Sequence, residues 1–160
     1  MVDTDFQSTL NDLAMALRRL HRALVDLNCK QYEHEYGPVP GPGDLLHLLA
    51  NDPYFAWLHP LSELIVDLDV LLEADEPATE VEAAAVRREV EEFISAPAAG
   101  AASHQFARRY LPLIAEDPHV AIAHAEVKRN LQRLPSPAAV TDAEILHEKH
   151  RWALAKRHRT

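Results

Sequence analysis

The chain has 160 residues, a formal net charge of −9, 48% apolar residues and four glycines. That length fits a single domain over 1–160, large enough to bury a core without a disulfide or a metal; its lone Cys29 excludes an intrachain disulfide, and the acidic balance disfavours general nucleic-acid binding. No run approaches the roughly 18 apolar residues of a membrane span, and the opening MVDTDFQ lacks the basic and apolar character of a secretory signal, so the expected compartment is the cytoplasm.

Thr4-Asp5-Phe6-Gln7 has the form of a capping box, in which a threonine hydroxyl and a glutamine satisfy free N–H groups reciprocally. Behind it Phe6, Leu10, Leu13, Leu17, Leu20, Leu24 and Leu27 alternate four and three residues apart, a heptad stripe that predicts a long helix ending near Gly37-Pro38. The stripe turns polar at Gln31 and His34. Gly37 to Gly43 reads as a loop, with a short helix from Asp44. Asp52-Pro53 opens a central helix, Pro53 to Glu73, expected to be kinked at Pro60. Its broad apolar face runs from Leu58 through Leu61, Leu64, Ile65 and Leu68 to Leu72. Thr79-Glu80-Val81-Glu82 is a second capping box. The helix behind it should turn Ala83, Val86, Val90, Phe93 and Ile94 inward, and Glu80, Glu82, Arg87, Glu91 and Glu92 mostly outward. Residues 103–115 predict a short helix with Phe106, Tyr110, Leu113 and Ile114, bent or split at Pro112. Asp117-Pro118 opens another helix, striped by Val120, Ala123, Val127, Leu131 and Leu134. Thr141-Asp142-Ala143-Glu144 begins a last one. No strand pattern competes, so the expected fold is all-α: a helical bundle with about four long helices and two or three short ones.

The stretch DPYFAWLHPLSELIVDLDVLLEADEP resembles a motif of a family of uncharacterised bacterial proteins of similar length. The matching residues are Asp52, Pro53, Phe55, Ala56, Trp57, Leu58, Pro60, Leu61, Ser62, Leu64, Ile65, Val66 and Asp69, and Gly37-Pro38-Val39 upstream is similar too. The resemblance implies a bacterial, cytoplasmic, helical protein and brings no activity with it. The family pattern does not require histidine at position 59, which counts against His59 as an essential ligand.

Ten histidines are the compositional oddity; imidazole ligates divalent metals and titrates near neutral pH. Glu144, His147 and His150 follow at i, i+3 spacing, the unit that di-iron bundles use twice, but it occurs once and lies off the face marked by Ile145 and Trp152. His124, on the apolar side of its helix, and His34, continuing the heptad stripe, are better placed to meet inside a bundle, and with Glu126 or Glu33 they could hold a divalent metal or act as a proton switch. Buried histidines are more often simply hydrogen-bonded. Phe55, Ser62, Val66 and Asp69 fall together on a second side of the central helix, a candidate ligand- or partner-binding surface in which Asp69 needs a partner. Phosphate-binding glycine loops, Gly-x-Ser-x-Gly and His-Glu-x-x-His are all missing. Eleven acidic residues and two arginines fall in 61–92, while five Lys or Arg, three His and one Glu fall in 147–160; such a split can pair within the fold or between copies, but two solvated surfaces are the commoner outcome. The expected function is therefore non-enzymatic: protein binding or self-association as a homo-oligomer, without membrane or nucleic acid. A metal- or small-ligand-binding, pH-responsive histidine bundle is the alternative.

Overall fold

The heptad stripe becomes the spine of the molecule. In the computed structural model, which describes residues 6–95 and 104–137, α1 runs unbroken over Phe6–Tyr36, about 46 Å at ~1.5 Å per residue. Leu10, Leu13, Leu17, Leu20 and Leu24 have no exposure at all. Gly37 ends the helix at φ +95° with its N–H donating to the Glu33 carbonyl at 2.9 Å, a left-handed stop that a side chain would resist. Next come α2 (Pro42–Asn51), a 3₁₀ segment (Pro53–Leu58), α3 (His59–Leu72), α4 (Glu80–Ile94), α5 (His104–Glu116) and α6 (Pro118–Gln132). No strand occurs among the described residues, and the fold is all-α. The helix expected from Thr141 lies outside them, as do Thr4, Glu144, His147 and His150.

Two prolines act differently from expectation. Pro60 does not kink a continuous helix. The chain follows a 3₁₀ path from Pro53 to Leu58, and Pro60 then sits in the first turn of α3, where its missing N–H costs nothing. Pro112 lies inside α5, which continues past it instead of splitting. The two Asp-Pro starts use one device: Asp52 accepts from the Tyr54 N–H, and Asp117 accepts from the N–H groups of His119 and Val120. The Thr79–Glu82 capping box forms in full. Its cost is that Glu82, expected outward, is 6% exposed. The capping box expected at Thr4–Gln7 lies partly outside the described residues; the Gln7 amide bridges distant elements, donating to the Leu72 carbonyl at 3.0 Å and accepting from the Ala78 N–H at 3.3 Å.

α1 lies between α6 on one side and α3 on the other, and α5 packs on α4 and α6. One apolar cluster joins α1, the 3₁₀ segment and α3 to α6. The 3₁₀ segment is held from α1 by Asn28, 1% exposed. Its amide donates to the Tyr54 carbonyl at 3.2 Å, and its oxygen accepts from the Trp57 indole N–H at 3.1 Å. Aromatic rings extend both ways from this clamp. Phe55 and Tyr54 lie 5.7 and 5.4 Å from Tyr32; Trp57 lies 5.7 Å from Phe106, with the Arg109 guanidinium 5.0 Å from its ring centroid. His59 contacts the Leu49 carbonyl at 2.7 Å, tying α2 to the start of α3.

Replacing Asn28 with alanine would leave a carbonyl and an indole N–H without their partner. Asn28→Ala should therefore destabilise the protein by about 2–3 kcal/mol in urea unfolding. A loss below about 0.5 kcal/mol would show that the clamp is dispensable.

Candidate functional site

Three of the four residues expected on the second side of α3 do gather there. Ser62, Val66 and Asp69 run along the α3 edge beside α1. The Ser62 hydroxyl lies 2.9 Å from His21 Nε2, and Asp69 accepts from the Arg18 guanidinium at 2.5 Å. Val66, between them, is 44% exposed. Phe55 does not join them. The 3₁₀ turn breaks the helical register assumed for it, and its ring is sealed in the core. Nor is Asp69 buried: its side chain is 28% exposed in a surface ion pair. The partners of Ser62 and Asp69 both come from α1, from residues three apart that share its edge.

This edge borders an open groove of about 430 Å³ between α1 and α3, lined by Asn11, Met15, Arg18, Asp69, Leu72 and Glu73. Across the outer stripe of α1 lies a second groove, about 390 Å³, between α1 and α6. Ala23, Leu27, Ile122 and Ala123 give it an apolar lining, with Arg19, Arg22, Asp26, Lys30 and Glu126 around it. Ion pairs tie α1 to the elements on either side: Arg18 with Asp69 on α3, Arg19 with Glu126 on α6, and Asp12 with Arg133 just past α6.

The residues of the metal alternative are held apart by other contacts. His34, expected to continue the seam inward, is exposed near the end of α1. The heptad drifts off the core there because α3 and α6 cover its earlier turns. His124 Nδ1 lies 2.5 Å from the Tyr110 hydroxyl, and Glu126 pairs with Arg19. Glu33 accepts from the Val39 N–H at 3.1 Å, and from the Cys29 thiol at 3.6 Å. Among the described residues no three His, Cys, Asp or Glu side chains stand close enough to hold a metal ion. Cys29 is a poor nucleophile, its thiol pushed up by burial and by Glu33.

Two histidine pairs have definite acid–base character. Burial lowers His21 below the ordinary imidazole value; burial, aided by the Lys128 charge, lowers His124. Each neutral ring can then accept from its hydroxyl neighbour, Ser62 or Tyr110. Burial pushes the Tyr110 phenol up, so it stays protonated as a donor. A serine beside a histidine is half of a nucleophile–base arrangement, but no carboxylate among the described residues hydrogen-bonds the His21 ring, and the pair lines neither groove. Its described role is to join α1 to α3, as Tyr110–His124 joins α5 to α6.

Sequence reading missed Asn28, His21 and Tyr110 as partners. Asn28 was detectable as a polar residue one step past Leu27 on a buried helix; His21 and Tyr110 carried no comparable signal. In comparison with known proteins, the chain matches no family model, no curated protein and no solved structure. The resemblance to a bacterial family thus rests on the residue pattern at 52–69 and 37–39. Among the described residues no helix is long and apolar enough to cross a membrane.

Since both histidines are lowered on folding, the unfolded chain takes up protons first as pH falls past about 6.5. Their contribution is intact above that value and is lost as pH falls toward the folded-state values. The melting temperature should drop between about pH 7.5 and pH 5. In a His21→Gln, His124→Gln double variant the drop should be smaller, whatever its stability at neutral pH. An equal drop in both proteins would exclude these histidines as the cause.

Proposed function

We propose that this chain is a non-enzymatic helical module that acts by binding protein, through the outer face where α1 lies between α3 and α6. The supporting observation is the apolar surface left open there. Met15 is 51% exposed at the α1–α3 groove, Ile122 is 66% exposed at the α1–α6 groove, and Val66 is 44% exposed on the α3 edge. Single exposed apolar residues are ordinary, but several grouped around grooves with a polar surround have the form of an interaction surface. The ion pairs across α1 fix where its long side chains lie before any partner arrives, so little ordering accompanies binding.

A pH-responsive variant of this reading is favoured by the two histidine pairs. They join α3 to α1 and α5 to α6, the helices that carry or buttress the face, and protonation would weaken both joints.

A photo-crosslinking residue placed in turn at 15, 66 and 122 should give protein adducts in cells. The same probe at 46, where Leu46 is 66% exposed on α2, should give few. Equal yields at all four positions, or none, would remove the assignment of this face.

A further inference from the structure

Resting on that reading, we infer that the protein bound at the α1–α6 groove is a second copy of this chain, related by a twofold axis that crosses α1 between Arg22 and Asp26. The charge on the chain is the first reason. Each copy carries −9, so most of its surface repels another copy. The α1–α6 groove is different: Arg19, Arg22 and Lys30 balance Asp26, Asp117 and Glu126. The charges lining this groove nearly cancel, so two acidic molecules meet less net repulsion there.

The second reason is which charges the fold leaves available. Arg18, Arg19 and Asp12 are taken up by Asp69, Glu126 and Arg133. Arg22 and Asp26 are exposed at the groove and enter no ion pair among the described residues. They are four apart on one helix, opposite in sign. A twofold contact requires that if residue i meets residue j, then j also meets i. Antiparallel α1 helices centred between these positions place Arg22 opposite Asp26 of the second copy, and Asp26 opposite its Arg22. An unrelated partner would need the same two charges in the reverse order.

The third reason is shape. Ile122 projects from α6 at 66% exposure beside a floor made of Ala23, Leu27 and Ala123. The face therefore carries both a projection and a recess, the self-complementary combination that an isologous contact uses.

Sedimentation velocity of the full chain at high micromolar concentration should show a dimer. Ile122→Glu should weaken it about tenfold or more while leaving the melting temperature of the monomer unchanged. Arg22→Asp and Asp26→Arg should each weaken it, because like charges then face each other twice. An equimolar mixture of those two variants, or the Arg22→Asp, Asp26→Arg exchange in one chain, should restore it. A monomeric wild type, or a dimer indifferent to all these changes, would overturn the inference. Heterologous adducts from the probe at 122 alongside a monomeric wild type would leave protein binding standing and remove the second copy as the partner.

Discussion

One buried amide fixes the position of nearly everything that follows α1. A 3₁₀ segment has weaker internal hydrogen bonds than an α-helix and does not persist alone for six residues. Pro53–Leu58 does so because Asn28 reaches from the spine and satisfies both the Tyr54 carbonyl and the Trp57 indole. Burying an amide is favourable only when its donor and acceptor are both used. Asn28 uses both on one segment, which sets that segment's height along α1 and its rotation. Phe55 and Leu58 can then enter the core, and Trp57 can turn its ring toward Phe106 and Arg109. α3 begins directly after, with its register against α1 already decided, so the Ser62 and Asp69 contacts follow from the same clamp.

The helices were legible in the sequence because each carries redundant signals. Heptad leucines mark α1, a complete capping box starts α4, and Asp-Pro starts both the 3₁₀ segment and α6. These are local features, and local features survive tertiary packing. The errors fall where two local rules compete or a distant group intervenes. Asp52-Pro53 and Pro60 each announce a helix start; reading both as one helix with a kink overlooked a 3₁₀ connection that only Asn28, far upstream, makes stable. That error carried Phe55 to the wrong side. Ser62, Val66 and Asp69 stayed correctly grouped because all three lie after the break, within one regular helix. Their partners could not be read, since sequence spacing does not say that Arg18 and His21 face α3. His34 was misplaced for a related reason: heptad continuity does not say how far along α1 the neighbouring helices extend.

The outer stripe of α1 shows how modest electrostatics can organise a face. Each exposed ion pair contributes about 0–1 kcal/mol, far less than the fully buried leucines beneath, at about 1.5–3 kcal/mol each. The pairs do not hold the fold together. They fix where long, flexible side chains lie, drawing Arg18 toward α3 and Arg19 toward α6. The surface between is left to Met15, Arg22 and Asp26. The histidine pairs differ in kind. They are half-buried and neutral, and their energy depends on proton occupancy rather than on ionic strength, so acid and salt act on different joints of the same surface.

The α1–α6 groove has its origin in residue size. Ala14 and Ala16 on α1 are sealed, at 1% and 0% exposure. Further along, Ala23 and Ala123 are again small, but the neighbouring positions turn outward, and the side chains that would fill the space are arginine, aspartate and lysine pointing to solvent. Alanine leaves Ile122, 66% exposed, standing beside a shallow apolar recess. An exposed isoleucine next to an apolar recess leaves apolar surface in water. Burial in a second protein surface would relieve that exposure directly, which is why we propose the interaction surface on this face rather than on the more heavily charged flank of α3 and α4.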